Sequence, residues 1–183
     1  MATNLNKDRQ SPDRALGGFW ECQFVNLVVS LGMGCHRFAK APSPIIETPT
    51  GPIILADCWL LQYRGASWLC EIKHKAPYYG HSPGGEYGFE QYRLHHIQQL
   101  EQWVNQKALY VIHNHERAGG RDIRVNRKQD WEVLPFATCY AYEHTRKAIG
   151  PSYVNGKKKM VPIYYWPARL WQPFTLWLTS EHA

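Results

Sequence analysis

At 183 residues with 44% apolar content, the chain has the length of one ordinary domain and enough apolar side chains to bury a core, which excludes a disordered chain. Lys and Arg outnumber Asp and Glu by 21 to 15, for a formal net charge of +6, which favours polyanionic partners through long-range attraction. The five cysteines form no C-x-x-C pair, the first fifteen residues lack the apolar core of a secretory signal, and no apolar run is long enough for a bilayer. Neither a disulfide framework, nor a zinc knuckle, nor a membrane partner is therefore expected, and a reducing, cytoplasmic setting is the default.

Residues 1–15 read as a flexible polar arm. The segment from Phe19 to Val29 then holds no Pro or Gly, and apolar residues at 20, 24, 27, 28 and 31 predict a helix ending near Gly32 and Gly34. The proline-rich stretch Ala41–Pro52 leaves room for only a short edge strand around Ile45 and Ile46. Ile53–Leu61 is apolar apart from Asp57, and Trp68–Lys73 follows after Arg64-Gly65-Ala66-Ser67, which predicts a β-hairpin turning near Gly65. Ala76–Gly88, rich in Gly, Pro and Tyr, reads as a loop.

From Phe89 to about Gln106 a second helix is expected, with Tyr92, His96, Leu100 and Val104 on its apolar face, joined by Ile97 and Trp103. Ala108–Ile112 predicts a buried strand, with His113 and His115 as loop residues after it and a polar connection through Gly119-Gly120. Trp131–Tyr142 is apolar and β-prone, and beyond Gly150 basic and aromatic residues alternate. This order predicts an α/β class, a mixed central sheet flanked by helices. The expected organisation is a core over 16–145 and a basic, aromatic C-terminal extension over 146–183 packed on it.

The chemistry-bearing pattern is an aspartate inside an apolar strand, followed fourteen residues later by Glu71-Ile72-Lys73. A carboxylate among apolar neighbours is costly unless a partner or a metal compensates. Residues i and i+2 of a strand share a face, so Glu71 and Lys73 point the same way, and a turn near Gly65 brings Asp57 to that face. Two carboxylates and an amine in one place suit a hard cation such as Mg²⁺ or Mn²⁺, which bridges to a phosphate oxygen while Lys73 orients a water or, with a lowered pKa, takes its proton. The alternative for the same residues is a surface Glu71–Lys73 ion pair with Asp57 capping a turn.

Over Phe19 to about Ile112 these residues resemble the PD-(D/E)XK nuclease superfamily, which includes restriction enzymes, RecB-like exonucleases and archaeal Holliday-junction resolvases. The resemblance implies a restriction-endonuclease-like fold and metal-dependent hydrolysis of DNA, favoured over RNA, by an endonuclease. It makes Asp57, Glu71 and the carbonyl of Ile72 metal ligands, Lys73 the residue at the attacking water, Glu21 on the first helix an auxiliary ligand and Gln91 an orienting group. Ala56 stands where the name-giving proline would be, and His95 follows Gln91 where RecB-like members carry Tyr. His95-His96-Ile97-Gln98 loosely matches the His-Gln of the resolvase branch, so the branch stays open.

For nucleic-acid contact the candidates are Lys75, then Arg93, His95 and Gln98 on the second helix, Arg121 and Arg124 in a basic loop, and Lys157, Lys158 and Lys159 near the aromatic tail. The loop Pro83–Gly88 lacks the Lys-Ser/Thr of a phosphate-binding fingerprint and reads as a flap over the site. Duplex cutting calls for two active sites, which makes a homodimer or a larger DNA-processing complex the expected assembly. Two rivals remain: a catalytically inactive nuclease-fold subunit that binds nucleic acid within such a complex, and a hydrolase of small phosphorylated molecules.

Overall fold

A computed structural model describes residues 12–38, 45–49, 51–61, 65, 67–80, 83–114, 130–154 and 157–180. In chain order the elements are α1 (Pro12–Ser30), β1 (Gly34–Arg37), β2 (Ile45–Thr48), β3 (Gly51–Ile54), β4 (Cys58–Leu61), β5 (Ser67–Lys75), β6 (Glu86–Glu90) and α2 (Gln91–Val104). They continue with β7 (Lys107–Asn114), β8 (Trp131–Pro135), α3 (Phe136–Ala141), β9 (Arg146–Val154), β10 (Lys157–Pro167), β11 (Gln172–Pro173) and α4 (Phe174–Ser180). The expected α/β class holds: the central sheet is mixed, with strand order β1-β4-β5-β7-β8-β11, parallel between β5 and β7 and antiparallel elsewhere.

Each face of this sheet has its own apolar core. On one face α1 and α4 bring Trp20, Phe24, Leu27, Val28, Phe174 and Trp177 against Cys70, Ile72, Val111 and Val133. On the other, α2 and α3 bring Leu94, Ile97, Leu100 and Phe136 against Leu69, Tyr110, Ile112 and Leu134. Because both faces of the sheet are covered, β7 carries the continuous apolar run Ala108–Ile112 and β5 carries the apolar Trp68–Cys70 before its charged residues.

Helix α1 buries the predicted residues at 20, 24, 27 and 28, but begins at Pro12, inside the stretch read as a polar arm. Proline suits a first helical turn, whose N–H groups have no intrahelical acceptor. The short strand at Ile45 and Ile46 forms a two-stranded sheet with β3. Leu61 pairs with Ser67 across the turn expected near Gly65.

Further boundaries differ from expectation. The apolar run Ile53–Leu61 is two strands, β3 and β4, belonging to different sheets, with Leu55–Asp57 between them. The loop expected through Gly88 ends earlier: Tyr78 and Glu86 bridge, with N–H···O distances of 2.8 and 2.9 Å, and Glu86–Glu90 pairs with β10. Helix α2 consequently starts at Gln91 and stops where Asn105 adopts a left-handed cap at φ 50°. The β-prone segment Trp131–Tyr142 turns helical after Pro135, which ends β8 and lets Phe136 and Cys139, three apart, bury on one side. Strand β7 runs on through His113 and Asn114, both buried, where loop residues were expected.

The basic, aromatic C-terminal region is a long β9–β10 hairpin joined to β6 in a three-stranded sheet of order β6-β10-β9. Only Ile163–Pro167 of β10 pairs with β6, so the part of the hairpin bearing Lys158 and Lys159 extends beyond it.

Candidate functional site

The β4–β5 register places Cys58 opposite Cys70, so Asp57 stands opposite Glu71 at the next rung. Cys58 and Cys70 face the α1 core, and the strand alternation turns Asp57, Glu71 and Lys73 to the opposite, α2 face. The Asp57 backbone stays in the ladder, its N–H donating to the Cys70 carbonyl at 2.9 Å and its carbonyl accepting from Phe38 N–H at 3.0 Å. One rung on, Asp57 Oδ2 accepts the Ile72 N–H at 2.7 Å. The chain leaves the sheet at this point, and the aspartate side chain takes over from the missing strand.

Glu71 is 2% exposed and surrounded by cations. Lys73 Nζ donates to its Oε1 at 2.7 Å, and Arg93 donates through Nε to Oε1 at 3.2 Å and through Nη2 to Oε2 at 2.5 Å. The Arg93 guanidinium also donates to the Ile54 carbonyl at 2.8 Å and the Leu55 carbonyl at 2.5 Å. Those carbonyls belong to the last residue of β3 and the first residue of the break before β4, so Arg93 supplies the donors that a neighbouring strand would. It fixes the interruption that presents Asp57.

The charges follow from this crowding. Burial raises the Asp57 pKa and the Glu71 charge adds to it, outweighing Lys73, so the carboxyl sits at about 7 instead of 3.8. Burial would raise Glu71 as well, but Arg93 and Lys73 prevail and hold it at about 2. Lys73 loses hydration too, yet Glu71 and Asp57 keep it above the usual lysine range. It therefore remains an ammonium at neutral pH, which corrects the expectation that a lowered pKa lets it take a proton from water. Lys75 differs: burial dominates and lowers its pKa to about 8.

The other candidate residues are distributed unevenly. Glu21 on α1 is buried, meets Arg37 at 3.2 Å and lies close enough for its charge to raise the Asp57 pKa. Gln91 is half-buried at the first position of α2. His95 and Gln98 lie on the exposed side of α2, as does Gln102. Arg93 does not: it is 7% exposed and committed to Glu71, which removes it from the expected nucleic-acid surface. Lys75 is turned inward as well, donating to the Gly88 carbonyl and lying 5.8 Å from the Tyr110 ring centre. Lys158 and Lys159 are exposed on β10, on which Lys157 begins, and Arg121 and Arg124 fall outside the described residues.

Both parts of the alternative reading occur, the Glu71–Lys73 pair and a capping Asp57, but the Glu71 end of the pair is buried and Lys73 is only partly exposed. The flap reading of Pro83–Gly88 is corrected, since Glu86–Gly88 is buried strand and Ala168 N–H holds the Gly85 carbonyl at 2.9 Å. Among the histidines, His74 and His113 meet at 3.0 Å between their Nδ1 atoms, but on the α1 face, stacked with Trp20. His95 is exposed on α2 and His81 lies outside the described residues.

Sequence reasoning missed two residues of this site, Arg93 as a partner of Glu71 and Glu90 beside the lysines. Burial would raise the Glu90 pKa, but Lys75 and Lys73 lower it, and its Oε2 is buried with no hydrogen-bond partner among the described residues. A signal for Arg93 existed: it is in phase with Ile97 and Leu100 on the apolar stripe of α2.

The donor chemistry suits a hard dication within limits. A carboxyl raised to near neutrality by burial and by a second carboxylate beside it is an imbalance that a cation relieves. Among the described residues no group of three or more His, Cys, Asp or Glu is placed to hold a metal. An ion such as Mg²⁺ is held by one or two carboxylates and keeps several waters, and Asp57 and Glu71 are two carboxylates on one face.

No family model and no curated protein matches the chain. Among solved structures, Hjc, a Holliday junction resolvase from the hyperthermophilic archaeon Archaeoglobus fulgidus, is similar over 84% of this chain and 90% of that one, with 10% identity and a TM-score of 0.48. A likeness of that size assigns neither residues nor activity. Among the described residues no helix is long and apolar enough to cross a membrane.

Proposed function

We propose that this chain is a divalent-metal-dependent nuclease of the PD-(D/E)XK type that hydrolyses DNA phosphodiester bonds as an endonuclease. The observation that carries the reading is the convergence of Asp57, Glu71 and Lys73 on one sheet face, with Asp57 Oδ2 2.7 Å from the Ile72 N–H and Lys73 Nζ 2.7 Å from Glu71. Asp57 and Glu71, with the Ile72 carbonyl between Glu71 and Lys73, would hold Mg²⁺ or Mn²⁺. The bound ion would neutralise phosphate charge and lower the pKa of a water. Lys73, kept charged by its two carboxylates, orients that water or a phosphate oxygen instead of acting as base. Glu21 adds negative charge behind Asp57, and Gln91 stands at the α2 start as an orienting group.

The basic surface for the rest of the substrate is assigned to His95 and Gln98 on α2 and to Lys158 and Lys159 on the hairpin. Cutting both strands of a duplex requires a second site, supplied by a homodimer or a larger complex.

One observation favours a second reading. Both Glu71 oxygens are already engaged by Arg93 and Lys73, as in a nuclease fold that binds nucleic acid without cutting it. Incubation with supercoiled, linear, single-stranded and branched DNA in Mg²⁺ or Mn²⁺ separates the two. The nuclease reading expects cleavage that the near-isosteric Asp57→Asn reduces at least a hundredfold while DNA affinity is retained. Binding with no cleavage of any form selects the second reading.

A further inference from the structure

Across α2 from the Asp57–Glu71–Lys73 cluster, a cavity of about 460 Å³ opens between α2, α3 and the base of the β9–β10 hairpin. Its lining includes Leu94, His95, Gln98, Tyr142, His144 and Tyr164. The helix sets its place. At about 100° per residue, His95 and Gln98 stand on the side of α2 turned away from Arg93, which Glu71 holds.

The floor is apolar and the walls are rings. Leu94, Cys139 and Trp166 are buried beneath the opening. His144 stacks on Tyr164 with ring centres 4.2 Å apart and planes 24° from parallel, and Lys147 Nζ lies 5.5 Å from the centre of the same tyrosine ring. Tyr142 is exposed at the rim, as are the Glu143 carboxylate and the Gln98 amide. The turn that carries these rings is fixed by its own bonds. Tyr142 N–H donates to the Thr138 carbonyl at 2.9 Å, the Tyr142 carbonyl accepts Trp166 Nε1 at 3.1 Å, and Thr145 N–H donates to the Tyr165 carbonyl at 2.8 Å. A ligand entering here therefore has few protein groups left to order.

The hairpin extends this surface. Because the β9–β10 register is unbroken, Lys158, Met160 and Tyr164 share one face with Lys147 and Ile149. At a rise of about 3.4 Å per residue, that face runs about 20 Å from Tyr164 to Lys158. Met160 and Ile149 are 64% and 61% exposed, the highest values among the large apolar side chains of the described residues. Apolar side chains and rings set between ammonium groups suit the faces of unpaired bases and the phosphates that join them. A duplex hides those base faces in its own stack.

We infer that this cavity and the adjoining hairpin face bind single-stranded DNA, with one unpaired base entering beside Tyr142 and His144, its phosphate at Lys147, and the strand continuing toward Lys158. The volume lies within the range of small-ligand sites. Stacking is sequence-tolerant, and the Gln98 amide, with both a donor and an acceptor, meets the edge of any base. The inference rests on the nucleic-acid reading of the chain and adds to it a second place, away from the cut, that prefers unpaired DNA.

The test is fluorescence anisotropy of the full chain in EDTA, so that no cleavage enters, with an end-labelled oligothymidylate and with a duplex of the same length. Tyr142→Ala and His144→Ala are each expected to weaken the single strand at least fivefold, and Met160→Ser at least twofold, while duplex affinity stays as in the wild type. A 2-aminopurine placed within the strand should be quenched on binding the wild type and not on binding Tyr142→Ala. Should His144→Ala fail to fold, the exposed Tyr142 and Met160 variants decide. A single strand that does not bind while the duplex does, equal loss of both DNA forms in the ring variants, or undiminished strand binding in both Tyr142→Ala and Met160→Ser overturns the inference. Ring-dependent binding without Mg²⁺-dependent cleavage removes only the nuclease, whereas cleavage abolished by Asp57→Asn with ring-independent strand binding removes only the cavity. Binding of neither DNA form removes the nucleic-acid reading and this inference with it.

Discussion

The two faces of strand β5 separate packing from chemistry within one run of residues. Toward α1, Cys70 and Ile72 join an apolar core with Trp20, Phe24 and Trp131. Toward α2, the intervening Glu71 and Lys73 meet Arg93 and Asp57. Burial thus has different consequences on the two faces: one is stabilised by the amount of apolar surface removed from water, the other by a balance of charges that only partners can maintain.

Breaking each face should cost a similar amount but leave a different signature. Phe24→Ala is expected to lower stability by about 3–5 kcal/mol through a cavity, and Arg93→Met by about 3–5 kcal/mol through an uncompensated carboxylate. Urea unfolding from pH 3 to pH 9 distinguishes them. Glu71 titrates at about 2 in the folded chain against an ordinary 4.5, so its contribution is present above about 4.5 and is lost as pH falls toward 2. Phe24→Ala should displace the whole curve, whereas Arg93→Met should also flatten this acid limb.

Asp57 has the opposite sign. Its folded pKa of about 7 exceeds the ordinary 3.8, so the folded state holds the extra proton between those values. Its contribution is therefore fully present below about 3.8 and is lost as pH rises through 7. Asp57→Asn should abolish that decline and be more stable than the wild type at pH 8 in EDTA. Mg²⁺ should raise the unfolding midpoint of the wild type and not that of the variant.

The smallest effects belong to the exposed hairpin. Lys158→Ala and Lys159→Ala should each lower the salt dependence of duplex DNA binding, the slope of log K against log salt, by about 0.9. Their unfolding free energies should stay within about 0.5 kcal/mol of the wild type. An unchanged slope would remove the hairpin from the DNA surface without touching the site on β5.

Legibility in the sequence followed the same division. Asp57, Glu71 and Lys73 could be brought together because a turn near Gly65 fixes the register and strand alternation fixes the face. The break at Leu55–Asp57 could not, since no Pro or Gly marks it and a single apolar run serves two sheets. Arg93 was misjudged because a helical arginine is ordinarily solvated, and the carboxylate that buries this one is 22 residues away in sequence. His113 and Asn114 read as loop because they are polar, yet a Trp20 stack and the β5 pairing keep them in strand. Strand β6 was hidden in a Gly- and Tyr-rich segment whose partner, β10, lies far along the chain.

The most direct test is the titration of the Asp57 carboxyl carbon by NMR, with and without Mg²⁺. A carboxylate pair built to share one ion predicts ionisation near pH 7 in EDTA and a shift of at least two pH units downward when Mg²⁺ is added. Ionisation near 4 in both conditions would show that Asp57 neither faces Glu71 nor meets a cation, and would contradict the proposed nuclease site.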